Sequence, residues 1–178
     1  MRALLNIITS LNSGIGRASA WLTLGIVLVQ FTVVVMRYVF GIGSIWMQES
    51  ITYMHGFMFM LAAAYTLSVD GHVRVDIFYR EADPRKKAWV DLLGSLFLLL
   101  PVCATIIFVS WDYVAASWAI LEGSQETSGI QGRYLLKSAI IAFAVMMGLQ
   151  GIAIICRSLL AIGGDKVALK SFKSVGVE

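Results

Sequence analysis

The chain has 178 residues, of which 58% are hydrophobic and 14% charged, with a formal net charge of +3 and a mean hydropathy of +0.80. An ordinary soluble domain carries roughly 45–50% apolar and about 25% charged residues. The balance therefore excludes that class and points to a membrane protein, and no nucleic-acid partner is expected.

Charges divide the chain into four uncharged runs, between Arg17 and Arg37, Glu49 and Asp70, Asp91 and Asp112, and Lys137 and Arg157. Each is about 20 residues long, enough for an α-helix to cross a hydrocarbon core of roughly 30 Å. The runs are apolar all round, whereas barrel strands would be about ten residues of alternating polarity. The expected fold is all-α: one membrane domain over residues 1–178 with four transmembrane helices, at 18–37, 46–70, 88–111 and 135–157.

Residues 1–17 begin with a basic Met1-Arg2, and Ala18-Ser19-Ala20 has the form of a signal-peptide cleavage site. The intervening apolar stretch is short and interrupted by Asn6, so the segment reads as an interfacial lead-in. The first span ends at Arg37 and Tyr38, and a Gly41/Gly43 turn leads to Trp46 and Glu49 at the start of the second. One base and one acid at adjoining helix ends suggest that Glu49 pairs with Arg37. Within the second span His55 is ionisable, which makes it a functional candidate; a neutral imidazole hydrogen-bonded to a neighbouring helix is the favoured account of it.

The segment that follows, "GHVRVDIFYR", alternates like a strand, but a lone strand at a membrane edge leaves its backbone unpaired. Continued as helix, it sets Asp70 with Arg74, His72 with Asp76, and Asp76 with Arg80 at i, i+4 spacing. Asp83-Pro84 marks the start of the third helix. Arg85, Lys86 and Lys87 there face lipid headgroups, and Pro101 is expected to kink the helix partway across. The outer loop 112–137 opens with a possible amphipathic turn, Val114 to Leu121, and then becomes polar and Gly-rich. Its composition suits a solvated connector, or a docking surface for a partner outside the membrane. Small residues Ala144, Gly148 and Gly151 on the fourth helix suit close packing, and residues 158–178 form a tail.

Orientation follows from the basic residues. With the amino terminus inside, cytoplasmic segments hold Arg2, Arg17, Arg74, Arg80, Arg85, Lys86, Lys87, Arg157, Lys166, Lys170 and Lys173, and outer loops hold Arg37, Arg133 and Lys137. That bias places both termini in the cytoplasm.

Chemistry hidden in the spans finds little support. His55 and His72 lie about 25 Å apart along one helix and cannot share a haem iron. Cys103 and Cys156 sit at different depths without metal-ligand spacing. No phosphate loop, GxSxG or dinucleotide motif occurs. No catalytic residue, cofactor or metal is expected; a haem- or quinone-associated anchor of a redox complex is the alternative reading.

Residues 37–80 closely resemble the signature of the DctQ-like small membrane subunit of tripartite ATP-independent periplasmic (TRAP) transporters. The resemblance rests on Arg37-Tyr38-x-Phe40, Trp46 with Glu49, Ala62-Ala63-Ala64 and Gly71-His72-x-Arg74-Val75-Asp76, and continues through "DPRKKAWVDLLG" and "SWDYVAASW". Many members have two acids at the start of helix 2, where this chain has Gln48 before Glu49. The resemblance implies a bacterial inner-membrane subunit that scaffolds a large multi-span transport subunit and works with a periplasmic substrate-binding protein. The branch it looks most like is associated with 2-oxo acids, lactate, mannitol and chloroaromatic compounds. Arg37, Trp46, Glu49, His72, Arg74 and Asp76 are its candidate interface or helix-positioning residues.

Overall fold

The computed structural model describes residues 1–72, 79 and 81–173, excluding the Lys173 side chain. In chain order they form α1 (Arg2–Val39), α2 (Ile45–Ser68), α3 (Pro84–Gly94), a π-helical turn (Ser95–Leu99), α4 (Leu100–Ala119), α5 (Arg133–Ile162) and α6 (Lys166–Lys173). No strand occurs among the described residues, as a chain this apolar requires if it is to satisfy its backbone polar groups locally.

Three helical stretches are long and apolar enough to cross a membrane: Arg2–Val39, Pro84–Ala119 and Arg133–Ile162. The expected fourth, α2, has sufficient length at 24 residues, but Glu49, Thr52, Tyr53, His55, Tyr65 and Thr66 dilute its apolar character. α5 is the central helix. Half of its most apolar stretch is buried, against 6% in α1 and 17% in Pro84–Ala119. α2 packs against both α1 and α5, while α3 and α4 lean on the other side of α5.

Residues 1–17, expected as a lead-in, are the opening turns of α1. At 1.5 Å per residue its 38 residues extend about 57 Å, nearly twice a hydrocarbon core. Its buried residues Ile8, Asn12, Gly16 and Ser19 follow helical spacing along one inward face. Asn12 Nδ2 donates to Gln150 Oε1 of α5 at 2.9 Å in a buried bond. A Cβ on Gly16 would lie 2.3 Å from Tyr65 Cβ, so the α1–α2 crossing requires glycine there.

The third helix begins at Pro84, as its sequence signal predicts. Its cap is made by backbone: Lys87 N–H donates to Asp83 O at 3.0 Å, and the Asp83 side chain makes no capping bond. The disturbance expected at Pro101 takes the form of the π-helical turn just before it, where Leu100 N–H reaches back to Ser95 O. Proline cannot donate to the preceding turn, and widening by one residue absorbs that loss without ending the helix. The widened turn lies against α5, where a Cβ on Gly151 would come within 2.9 Å of Leu99.

α2 does not continue through "GHVRVDIFYR". It ends at Ser68; Asp70 takes a left-handed φ of 57°, and Gly71 N–H closes the end on Thr66 O at 2.8 Å. The expected pairings of Asp70 with Arg74, His72 with Asp76 and Asp76 with Arg80 each include a residue outside the described ones. Arg74, Asp76 and Arg80 lie outside the described residues.

Candidate functional site

The end of the bundle expected to face outward, called its outer end, is assembled around two carboxylates. Ser44 opens α2, its hydroxyl accepting from Met47 N–H at 3.4 Å, and Glu49 follows on the first turns. Its carboxylate reaches away from α1 into the segment that joins α4 to α5. One oxygen accepts from the Ser124 hydroxyl and the other from Ile130 N–H at 2.6 Å. One turn further along, the Tyr53 hydroxyl donates to Ile130 O at 3.3 Å, so α2 holds both backbone groups of one loop residue. Gly129 makes this approach feasible: a Cβ there would stand 2.3 Å from Ser124 Oγ and 2.6 Å from Glu49 Oε2.

Glu122 is the second centre. α4 runs to Ala119, so the amphipathic turn expected from Val114 is mostly its final turns. Leu121 then reverses the chain with φ 47°. The Glu122 carboxylate takes a hydrogen bond from Ser117 Oγ at 2.7 Å and an ion pair from Lys137 of α5. The Lys137 bond, then the Ser117 bond, pull the Glu122 carboxyl below its ordinary value of 4.5. The Lys137 ammonium also lies 4.0 Å above the Tyr113 ring. Beside it Trp118 Nε1 donates to Ser138 Oγ at 2.8 Å, and the Trp118 ring meets Tyr134 edge-on at 4.7 Å. A cavity of about 380 Å³ opens between the centres, lined by Glu49, Tyr53, Tyr113, Glu122, Arg133 and Lys137 among others.

The inner end is held differently. Asp165 caps α6 through Val167 N–H at 2.9 Å and takes an ion pair from Arg2 of α1. The Arg2 bond holds the Asp165 carboxyl below its ordinary value of 3.8. α6 then seats Phe172, 1% exposed, against Ala88 and Ala161. The Arg157 guanidinium lies 5.1 Å above that ring and 3.8 Å from Asp91.

The sequence candidates are distributed across this frame rather than gathered in one place. Glu49 is the loop anchor; no ion pair joins it to Arg37 among the described residues, and Arg37 and Trp46 are exposed. The pair fails because Glu49 finds a backbone donor and a hydroxyl on the far side of α2, away from α1. His72 is exposed at the other end, its Nε2 3.1 Å from Ala63 O. His55 bonds no neighbouring helix: it is exposed, with its ring stacked 6.3 Å from that of Phe59. Sequence reasoning did not single out Ser117, Glu122, Ser124, Ile130 or Lys137; the glycines in "EGSQETSGIQG" were the available signal of a tightly fitted loop. Among the described residues no three His, Cys, Asp or Glu side chains gather as a metal site, and Cys103 and Cys156 are buried free thiols.

The arrangement is thus a loop held by hydrogen bonds at one end of a helical bundle. The family model described as "Tripartite ATP-independent periplasmic transporters, DctQ component" matches residues 26–161. No curated protein and no solved structure matches the chain.

Proposed function

This chain belongs to the DctQ component family of tripartite ATP-independent periplasmic transporters, and from that premise we propose that it scaffolds the transport subunit and helps dock the binding protein. The family is one of transporter components, working with a larger DctM membrane component and a substrate-binding protein, and is not an enzyme family. It lends no support to the redox-anchor alternative.

In this reading the chain crosses the bacterial inner membrane four times with both termini in the cytoplasm. The fourth crossing is α2, a reading supported by its contacts with α1 at Gly16 and Gly25 and with α5 at Leu136. The concentration of Arg and Lys on one set of loops supports the orientation. The complex performs ion-driven uptake, by symport, of small organic acids. Arg37, Trp46, Glu49, His72, Arg74 and Asp76 position helices or meet partner subunits, and the exposed Arg85 and Lys86 face lipid headgroups; Lys87, expected beside them, is instead buried, its ammonium 5.4 Å from the centre of the Tyr79 ring.

The observation that carries the docking role is the clamping of the outer loop by Glu49 and Tyr53. A solvated connector has no need of a spanning helix to hold its backbone. A docking surface gains from being held in its bound shape, because less ordering is paid for on association. The test is uptake of a labelled carboxylate into proteoliposomes containing the large component, with binding protein outside and a sodium gradient. Uptake should require this chain and fall when residues 123–132 are deleted. Undiminished uptake without the chain overturns the scaffold role, and undiminished uptake with the deletion overturns docking.

A further inference from the structure

The outward face of α2 differs from the other membrane-facing surfaces. Gln48, Thr52, His55 and Phe59 are all exposed. Their spacings of four, three and four place them in one stripe along the helix. Glycines and methionines locate this stripe relative to the neighbours: Met54 lies against Gly25 of α1 and Leu136 of α5 against Gly56. The stripe lies to the side of both contacts, with Thr52 at its edge on the rim of the cavity that Arg133, Leu136 and Lys137 of α5 also line. Among the described residues no hydrogen bond reaches the side chains of Gln48, Thr52 or His55 within the chain. His55 lies roughly 15 Å along α2 from its first residue, with Phe59, 63% exposed, one turn deeper and stacked beside it. Further inward the same face continues with the small residues Ala62 and Thr66, the latter's hydroxyl already bonded to Ala62 O at 3.1 Å.

The surface of α3 and α4 provides the contrast. Its exposed residues include Phe97, Val102, Phe108 and Val109, with Phe108 84% exposed. The exposed Thr105 hydroxyl there is satisfied by Pro101 O at 2.9 Å. On that part of the face the large side chains are apolar and the hydroxyl is already bonded. The α2 stripe would place an amide, a hydroxyl and an imidazole against lipid tails, where a donor or acceptor without a partner is costly. Ionisable side chains in spans accordingly turn toward protein or water.

We infer that the Gln48–Thr52–His55–Phe59 face of α2 is the seat of the large membrane component, through a transmembrane helix with hydrogen-bonding side chains at the same depth. This rests on the family reading above and adds which surface is used. Polar groups bonded across helices, with small residues permitting close approach, are the recurrent means of helix association in lipid. The stacked His55 and Phe59 rings provide a flat anchor at the centre of the contact. α1 and α5 already occupy the other sides of α2, so the incoming helix would complete its surroundings.

The test uses the complete complex, purified by a tag on the large component, with a photo-crosslinking benzophenone amino acid at position 55 or, for comparison, at position 108. Irradiation should join this chain to the large component from position 55 and give lipid adducts from position 108. T52L/H55L should reduce co-purification on the order of tenfold or more, while F108L leaves it unchanged. Among the described residues the stripe's side chains make no hydrogen bonds within the chain, so the T52L/H55L subunit should remain folded, with its helical content as a control. A complex that co-purifies normally but crosslinks only to lipid, or to a second copy of this chain, from position 55 overturns the assigned face and leaves the family role standing. Labelling of a cysteine at position 55 by a membrane-impermeant thiol reagent in the intact complex overturns it as well, since the face would then be open to water. Failure of the two components to associate at all overturns the scaffold reading itself.

Discussion

The two ends of the bundle are closed by different physics. At the outer end polar groups do the work: Glu49 and Glu122 accept hydrogen bonds from a backbone N–H, two hydroxyls and an ammonium, and the loop between α4 and α5 takes its shape from them. At the inner end a short amphipathic helix is seated by one aromatic ring, with an exposed ion pair at its start. Hydrogen bonds are directional, so the outer end specifies a conformation; apolar burial is not, so the inner end specifies mainly attachment. A surface that must present a fixed shape calls for the first kind of closure.

Breaking the outer anchor should have the largest effect on transport. Glu49→Ala leaves Ile130 N–H and the Ser124 hydroxyl without their acceptor. Uptake is expected to fall on the order of tenfold or more, with faster hydrogen exchange at Ile130, while membrane insertion is unchanged. Normal uptake by this variant would remove the reason for the clamp. Gly129→Ala attacks the same contact from the loop side, since its Cβ would sit 2.3 Å from Ser124 Oγ. Its loss should approach that of Glu49→Ala, and the double variant should be little worse than either, because the two changes disrupt one unit. Additive losses would show that they act separately.

Phe172→Ala should sharpen the contrast. Removing a buried phenylalanine costs about 3–5 kcal/mol at well-packed sites, so α6 is expected to undock and become sensitive to limited proteolysis near Lys166. Uptake should change less than for Glu49→Ala; an equal loss would mean that the inner end also carries a functional surface. The smallest effect is that of acid. Asp165 and Glu122 have carboxyls lowered in the folded chain, by Arg2 and Lys137 respectively. Their contributions are therefore complete above the ordinary values of 3.8 and 4.5 and are lost as pH falls through the lower folded values. Hydrogen exchange at Val167 should rise only in that acid range, and Asp165→Asn should abolish this dependence.

Much of the fold could be read from one dimension. A bilayer requires about 20 apolar residues per crossing whatever packs around them, so gaps between charges located the helices before any contact was known. Pro84 marked a helix start for an equally local reason. Glu49 was legible as a candidate from its place at a helix start, but its partner was not. Arg37 was the nearest opposite charge in the sequence, whereas the groups that bind Glu49 lie 75 and 81 residues away. One of these is a main-chain N–H, which every residue but proline carries and no composition reveals. The end of α2 was hidden in the same way: the i, i+4 charge pattern invited its continuation, but the helix stops at Ser68 and Asp70 takes a left-handed φ of 57°.

The amino-acid sequence alone determined that this chain is a helical membrane protein and roughly where its helices lie, because transfer from water to hydrocarbon depends on side-chain chemistry summed over a short window. Tertiary structure alone decided that α5 is the hub, that Glu49 holds the outer loop, and that His55 faces outward from α2. Those outcomes depend on which helix faces meet, and residues far apart in the chain become neighbours only when the helices pack.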